Sequence, residues 1–357
     1  MKTRIGILTG GGDCPGLNTV LDSLVKSLAS DYEIVGFYKG FEGLYNNSYT
    51  ILDANFTNQF KFLGGTILKT VNKGHFSAKT GDGLTNEIDQ EIINQAKQNY
   101  LKLNLEALIV LGGDGSLSAA FQLQQNGLNI IGVPKSIDND VMGTDTTFGF
   151  LTAVQIAVEA LDRLETTARS HERVMVLEVM GRNSGWIGLH SGIAGGANII
   201  LIPEIVFDYK KILEVIQKRY KNGKTNTLIV VSEGATSMDE NKSYSNSGGQ
   251  SSENLLGGIG EKITRFLNQN GLDARSTRLG HIQRGGSPLS MDRLLSIQMG
   301  VYAAKLVEEK IYGQLVCYNS GQMGYKPLVD CISKLKLVDP NGELVLQAKK
   351  IGISFGN

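Results

Sequence analysis

Short apolar segments recur along the chain at Arg4–Thr9, Glu33–Tyr38, Glu106–Leu111, Asn129–Val133, Arg173–Val179, Asn198–Ile202 and Thr227–Ser232. They are rich in Val, Ile and Leu, and some lack polar alternation, which is the pattern of strands covered on both faces of a parallel sheet. Helical patterns lie between them. Leu17–Ala29 puts Leu17, Val20, Leu21, Leu24, Val25 and Leu28 on one stripe, and Phe150–Leu164 does the same with Ala153, Ala157, Leu161 and Leu164. Strand-then-helix alternation predicts an α/β fold with right-handed crossovers. In such sheets ligands bind at the carboxyl ends of strands, so the loops that follow the strands carry the functional information.

Composition narrows the function classes. The chain has 357 residues, enough for about two domains. Its 35 basic and 35 acidic residues cancel, which argues against bulk binding to nucleic acid or a membrane surface. Glycine is the outlier at 44 residues, against only 6 prolines, and points to tight turns and close backbone approaches rather than linkers. Cys14, Cys317 and Cys331 are odd in number and widely spaced, forming neither a disulfide framework nor a zinc pattern. With no apolar run of membrane-spanning length, a cytoplasmic protein is expected. Ser237–Asn254 contains no Val, Ile, Leu or Phe and is expected to be a mobile surface loop.

Three loops suggest phosphate chemistry. Gly10-Gly11-Gly12-Asp13-Cys14-Pro15-Gly16 follows the first apolar segment and leads into a helix, an arrangement that offers backbone N–H groups and a helix N-terminus to an anion. No Gly-Lys-Ser/Thr closes it, so it is not a Walker A loop. Gly112-Gly113-Asp114-Gly115-Ser116 repeats the arrangement with a carboxylate inside it, a natural Mg²⁺ ligand beside phosphate and equally a helix cap. In Lys135-Ser136-Ile137-Asp138-Asn139-Asp140 two carboxylates lie two residues apart. Read as extended chain, Asp138 and Asp140 point the same way, one for metal and one for a hydroxyl proton; an Asx-rich turn is the plainer alternative. Further along, Met180-Gly181-Arg182-Asn183-Ser184-Gly185 and Glu233-Gly234 follow strands. A sixth loop is expected at Arg275–Gly286, where Arg275, Arg278, His281 and Arg284 fall within ten residues. Guanidinium forks suit phosphate.

The segments GGGDCPGLN, GGDGS, PKSIDNDVMGTDTTFGFLTA, EVMGRNSG, IAGGAN, the pair Pro203-Glu204, and RSTRLGHIQRGGSPLSMDR resemble the 6-phosphofructokinase family in order and spacing, from about Arg4 to Glu309. The resemblance implies two doubly wound Rossmann-like α/β domains with mostly parallel sheets and a site in the cleft between them. Residues 1–149 with about 283–333 would bind the phosphodonor, and 150–282 with about 334–357 the sugar phosphate. It implies phosphoryl transfer from MgATP to the 1-hydroxyl of fructose 6-phosphate. Asp138 resembles the base, Ser136 stands where the family usually has Thr, and Arg182 joins them as a catalytic position. Asp114 resembles the Mg²⁺ ligand, with Asp140 assisting. The donor positions are Gly12, Asn72, Lys73, Gly113, Asp114, Gly115, Ser116 and Lys135. The sugar-phosphate positions are Ser136, Asp138, Met180, Gly181, Arg182, Glu233, His281 and Arg284. Arg173 and Arg275 match arginines that reach a neighbouring subunit's site, which implies a homo-oligomer, commonly a tetramer.

The chain departs from the family pattern at several points. Gly115 favours ATP, since pyrophosphate enzymes usually carry Asp there; Lys135, however, occupies a position typical of pyrophosphate enzymes. Pyrophosphate therefore stays open as the donor. Lys69-Thr70-Val71-Asn72 replaces the Gly-Ser-Ala-Arg of many bacterial relatives, and Lys135 or Lys73 is expected to supply the missing charge. Asp22, Ala54 and Glu165 stand where the bacterial effector site has arginines, and Asn198 where it has a metal-binding Glu, so neither ADP nor phosphoenolpyruvate is expected to act there. A small-molecule kinase of the NAD-kinase kind shares the GGDG run but gives no reason for PKSIDND. A non-catalytic sugar-phosphate-binding paralogue should have lost Asp138 or Asp114, and both are present.

Overall fold

The structure is a computed structural model and describes residues 2–71, 74–78, 86–239 and 258–357. The first half of the chain runs β1 (Thr3–Thr9), α1 (Leu17–Leu28), β2 (Tyr32–Phe37), α2 (Phe41–Tyr45), β3 (Tyr49–Leu52), α3 (Ala54–Phe60) and α4 (Gln90–Lys102). It continues through β4 (Leu105–Gly112), α5 (Asp114–Gln125), β5 (Ile130–Pro134) and the long helix α6 (Phe150–Ser170). Then come β6 (Val174–Val179), α7 (Trp186–Ala194), β7 (Ile199–Leu201), α8 (Tyr209–Lys221), β8 (Thr227–Ser232) and α9 (Ile259–Gln269). The remainder is β9 (Ala274–Arg278), a 3₁₀ turn (Gly280–Arg284), α10 (Ser290–Glu308), β10 (Gln314–Asn319), β11 (Gln322–Pro327), α11 (Leu328–Ile332) and α12 (Glu343–Lys350).

These elements form two compact units, each assembled from two stretches of sequence: Met1–Thr152 with Arg284–Lys336, and Ala153–Gln283 with Leu337–Asn357. The first is built on a seven-stranded sheet in the order β11-β10-β5-β4-β1-β2-β3. Its interior pairs are parallel, and the β2/β3 and β10/β11 pairs at its margins are antiparallel. Ile5, Ile7, Leu8 and the whole run Ala107–Leu111 are buried. A strand buried at consecutive residues is covered on both faces, which is why these segments read as unbroken apolar runs. β4 lies beside β1 on the side opposite β2, so the strand order reverses between β1 and β4. Their carboxyl ends therefore flank the switch point at which doubly wound sheets bind ligands.

The second unit carries the wholly parallel sheet β7-β8-β6-β9. Its core joins β6, β7 and β8 to Ile212 and Ile216 of α8 and to Ile263 and Leu267 of α9. Residues after α12 run beside β7: Ile200 donates to the Ser354 carbonyl at 2.9 Å, Ser354 donates to the Asn198 carbonyl at 3.0 Å, and Phe355 is buried. Strand bounds shift from expectation by a residue or two. A larger correction concerns Arg275–Arg278, expected as loop. They belong to β9, an edge strand whose residues after Ala274 are exposed, so no apolar run marks it. Within the expected loop Ser237–Asn254, residues 240–254 lie outside the described part of the chain; Ser237 itself forms an isolated bridge with Phe207.

Candidate active site

The loop after β1 is held at its base by Gly10, whose N–H donates to the Leu111 carbonyl of β4 at 2.9 Å. Side chains crowd this loop from two directions. A Cβ at Gly10 would strike the Ser116 hydroxyl, and one at Gly12 would lie 2.8 Å from an Arg284 guanidinium nitrogen. One at Gly11 would lie 3.2 Å from Lys135 Nζ. Gly10 is thus needed because the Ser116 side chain stands against its backbone and Gly11 because its φ is +75°, while an ammonium and a guanidinium also converge on the loop. Lys135 donates to the Gly12 carbonyl at 2.6 Å, and its backbone N–H holds the Gly112 carbonyl at 2.9 Å. Arg284 reaches the Asp13 carbonyl at 3.4 Å. The loop therefore combines two cations with the N-termini of α1 and α5, a combination that suits a polyanion.

Lys135 is only 4% exposed. Burial pulls its ammonium down to about 8, and Arg284 pushes the same way. Cys14, the buried thiol of the loop, donates to the Phe148 carbonyl at 3.0 Å, and burial pushes that thiol well up, so it serves as packing rather than as a nucleophile.

Asp114 opens α5 with Gly113 as its N-cap. A Cβ at Gly115 would meet nothing within 4 Å, so space lies open beside the first turn. The Lys135–Asp140 segment corrects an expectation. It is not extended: after Lys135 it turns, and Asn139 takes φ +53°. The alternation argument for Asp138 and Asp140 therefore does not apply. The turn is closed by side chains instead. Ser136 Oγ donates to Asp140 at 2.6 Å and accepts the Asp138 N–H at 3.2 Å. The Asn139 amide oxygen accepts the Thr147 N–H at 3.0 Å and Lys336 Nζ at 2.9 Å. The sequence reading gave Asn139 and Lys336 no role; the Asn inside IDND was the available signal, since Asn tolerates the left-handed region. Lys336 is held by three such bonds, including the Thr144 and Asp145 carbonyls, and burial lowers it to about 8.

Of the region that departs at residue 69, Asn72 and Lys73 lie outside the described residues. Lys69 takes φ +60°, the left-handed conformation that a glycine there would adopt freely. Its carbonyl accepts the Thr9 hydroxyl at 3.3 Å, and Thr70 donates to the Gly11 carbonyl at 2.5 Å.

In the second unit, the loops after β6 and β8 are packed on each other. Gly181 takes φ +138°, and a Cβ there would lie 2.7 Å from the Ser184 carbonyl. Glu233 donates through its N–H to the Val179 carbonyl at 2.9 Å, and Gly234 to the Gly181 carbonyl at 3.1 Å. This brings Met180, Gly181, Arg182 and Glu233 together; Met180 is buried and Arg182 exposed. Gln283 has no role in the sequence reading, although it stands inside the quoted GHIQRGG run. It is fully buried, and its side chain accepts the Met180 N–H at 2.7 Å while donating to the Ala153 carbonyl at 3.2 Å. His281 is exposed on the 3₁₀ turn.

Arg173 and Arg275 do not join this cluster. Both bind Asp273, at 2.5 Å and 2.6 Å, where the chain enters β6 and β9. The two arginines hold the Asp273 carboxyl below its ordinary range, the Arg173 hydrogen bond most strongly. Met180–Arg182 follow the other end of β6. Six residues of strand, roughly 20 Å, separate the two places.

Residues 4–307 match the family model described as Phosphofructokinase. The chain is 46% identical over 362 residues to the ATP-dependent 6-phosphofructokinase 2 of Clostridium perfringens, covering 99% of this chain and 98% of that one. It is 39% identical to the pyrophosphate–fructose 6-phosphate 1-phosphotransferase of Streptomyces coelicolor, covering 99% of this chain and all of that one. The crystal structure of Pichia pastoris phosphofructokinase in the T-state superposes with a TM-score of 0.81 at 31% identity, over 93% of this chain and 36% of that longer one. With the family model spanning most of its length and a relative this close matching end to end, the chain belongs to the phosphofructokinase family.

Proposed function

We propose that the chain is an ATP-dependent 6-phosphofructokinase that moves the terminal phosphoryl group of ATP to the 1-hydroxyl of fructose 6-phosphate. The products are fructose 1,6-bisphosphate and ADP. The observation that carries this reading is the Gly10–Gly12 loop at the β1/β4 switch point, on which Lys135 and Arg284 converge, with the Ser136–Asp140 turn directly following Lys135. Phosphoryl transfer needs charge offset and positioning more than covalent help. Lys135 and the two helix N-termini offset the donor's charge; Arg284, expected on the sugar phosphate, stands at Gly12 and can screen the donor as well. Asp138 accepts the proton of the attacking hydroxyl. The Ser136 bond to Asp140 and the Asn139 bonds to Thr147 and Lys336 fix the turn that presents Asp138. Met180, Gly181, Arg182, Glu233 and His281 take the sugar phosphate, and Arg182 is the catalytic arginine of this set.

Mg²⁺ belongs to this proposal. Among the described residues no cluster of three His, Cys, Asp or Glu forms a protein cage. One or two carboxylates beside a phosphate cradle suit a hard cation that takes its other ligands from phosphate and water. Asp114 and Asp140 would hold it, and when bound it neutralises charge on the donor's phosphate oxygens.

Arg173 and Arg275, paired on Asp273 a strand's length from Met180–Arg182, favour a role in the site of a second copy of the chain, and hence a homo-oligomer. No described helix is long and apolar enough to cross a membrane; a cytoplasmic location completes the proposal.

Pyrophosphate is the second reading, favoured by Lys135. Gly115 weighs against it, because the empty space beside it leaves room for further phosphates of a nucleotide. Aldolase-coupled turnover with fructose 6-phosphate and Mg²⁺, run with ATP and with pyrophosphate in parallel, should give activity with ATP alone. Activity with pyrophosphate alone would reverse the donor assignment, and inactivity with both would remove the reading. In the same assay Asp138→Ala should lose about 10²–10⁴-fold in kcat while still binding fructose 6-phosphate. Near-normal turnover would exclude Asp138 as the base.

A further inference from the structure

Arg278 is the arginine of the Arg275–Arg284 run to which the family resemblance gives no part. In the sheet it stands directly across from Glu178, where β9 pairs with β6. Its Nε lies 3.2 Å from Glu178 Oε1, and its Nη2 lies 3.9 Å from Glu233 Oε2. Glu178 is 2% exposed. Its carboxylate also accepts the N–H of Gly258 at 2.9 Å and of Gly260 at 2.8 Å, where α9 begins. A buried carboxylate held by two backbone donors is a fixed point, since moving it would strand charge and N–H groups together. The backbone reinforces it: Leu279 donates to the Glu178 carbonyl, and Glu233 to the Val179 carbonyl. A guanidinium is planar and rigid, so an edge fixed on one carboxylate determines where its other nitrogens point.

We infer that Arg278 is a positioning residue for the sugar-phosphate subsite: anchored on buried Glu178, it holds the Glu233 carboxylate in place for the sugar hydroxyls. The inference rests on the reading of Glu233 as a sugar-binding residue. Arg278 acts through Glu233 and has no part in binding the donor.

The test compares Arg278→Met, Arg278→Lys, Glu233→Gln and the Arg278→Met/Glu233→Gln double variant. KM is measured for fructose 6-phosphate and for ATP, with Tm recorded for each protein. Arg278→Met should raise the fructose 6-phosphate KM about five- to tenfold, within the span expected for coupled neighbours, and leave the ATP KM unchanged. Arg278→Lys, which keeps the charge, should recover part of that loss. In the Glu233→Gln background, Arg278→Met should add little. An unchanged sugar KM, an equal rise in both KM values, or fully additive losses in the double variant would each overturn the inference. If Glu233→Gln alone leaves the sugar KM unchanged, the assignment of Glu233 is what fails, and the inference falls with it.

Discussion

Lys135 bears on both charge and pH. Its ammonium is buried against the Gly12 carbonyl and drawn down to about 8, so the free enzyme carries that charge below this pH and loses it above. If Lys135 holds donor phosphate, kcat/KM for ATP should fall as pH rises through about 8. Lys135→Arg keeps a charge that does not titrate in this range, and should remove that alkaline limb. A limb that stays at the same pH in the arginine variant would assign it to another group. The proline-lysine-serine run was visible in the sequence as a possible phosphate contact, but the depressed ammonium was not. That shift arises from burial against a loop contributed by β1 and, to a lesser degree, from Arg284, 149 positions further along the chain, and no local pattern encodes either.

The elements that position the site differ in how legible they were. β1, β4, β6 and β8 announced themselves as apolar runs because both of their faces are buried. Edge strands β3, β9 and β11 and the half-buried β10 did not, since solvated residues bring polar side chains into their runs. The Ser136–Asp140 turn was misread as extended because periodicity sees spacing and misses an Asn at φ +53°. α5 offers a direct test of the donor assignment. A Cβ at Gly115 meets no atom within 4 Å, so Gly115→Asp should leave the fold and Tm intact. Its carboxylate would nonetheless stand in the open space at the first turn, beside the Asp114 charge, and should weaken ATP use on the order of tenfold or more, about 1.4 kcal/mol. A variant that still uses ATP normally would show that the donor's phosphates do not pass this turn.

Two features speak to the whole molecule. If Arg173 and Arg275 complete a neighbour's site, an Asp138→Ala protein and an Arg173→Ala/Arg275→Ala protein, each nearly inactive, should recover part of the activity when dissociated and reassembled together. Failure of the reassembled mixture to exceed its parents would confine both arginines to their own chain. Regulation is the second feature. Asp22 is committed to Lys26 and Thr57, at 2.8 and 3.0 Å, and Asn198 is bound to Leu228 and to the segment beyond α12. Neither carries the positive charge that a phosphorylated effector needs, and saturation curves for fructose 6-phosphate should not shift with ADP or phosphoenolpyruvate at that place. A sigmoidal shift with either would contradict this.

Neither compact unit is contiguous in sequence: the first needs Arg284–Lys336 after an interruption, and the second needs Leu337–Asn357. For a chain made from its N-terminus, this sets an order of events. β5 gains its neighbour β10 only after more than half of the second unit's residues have already been synthesised. β7 in turn waits for Ser354, more than 150 residues further along the chain. Domains usually fold one after another as they leave the ribosome. A β1–β5 sheet that forms during synthesis, with its glycine-lined switch point, does so with an open edge at β5. The nascent chain is therefore most exposed to mispairing while residues 135–313 are being made, the interval in which holdase chaperones would have a strand edge to protect.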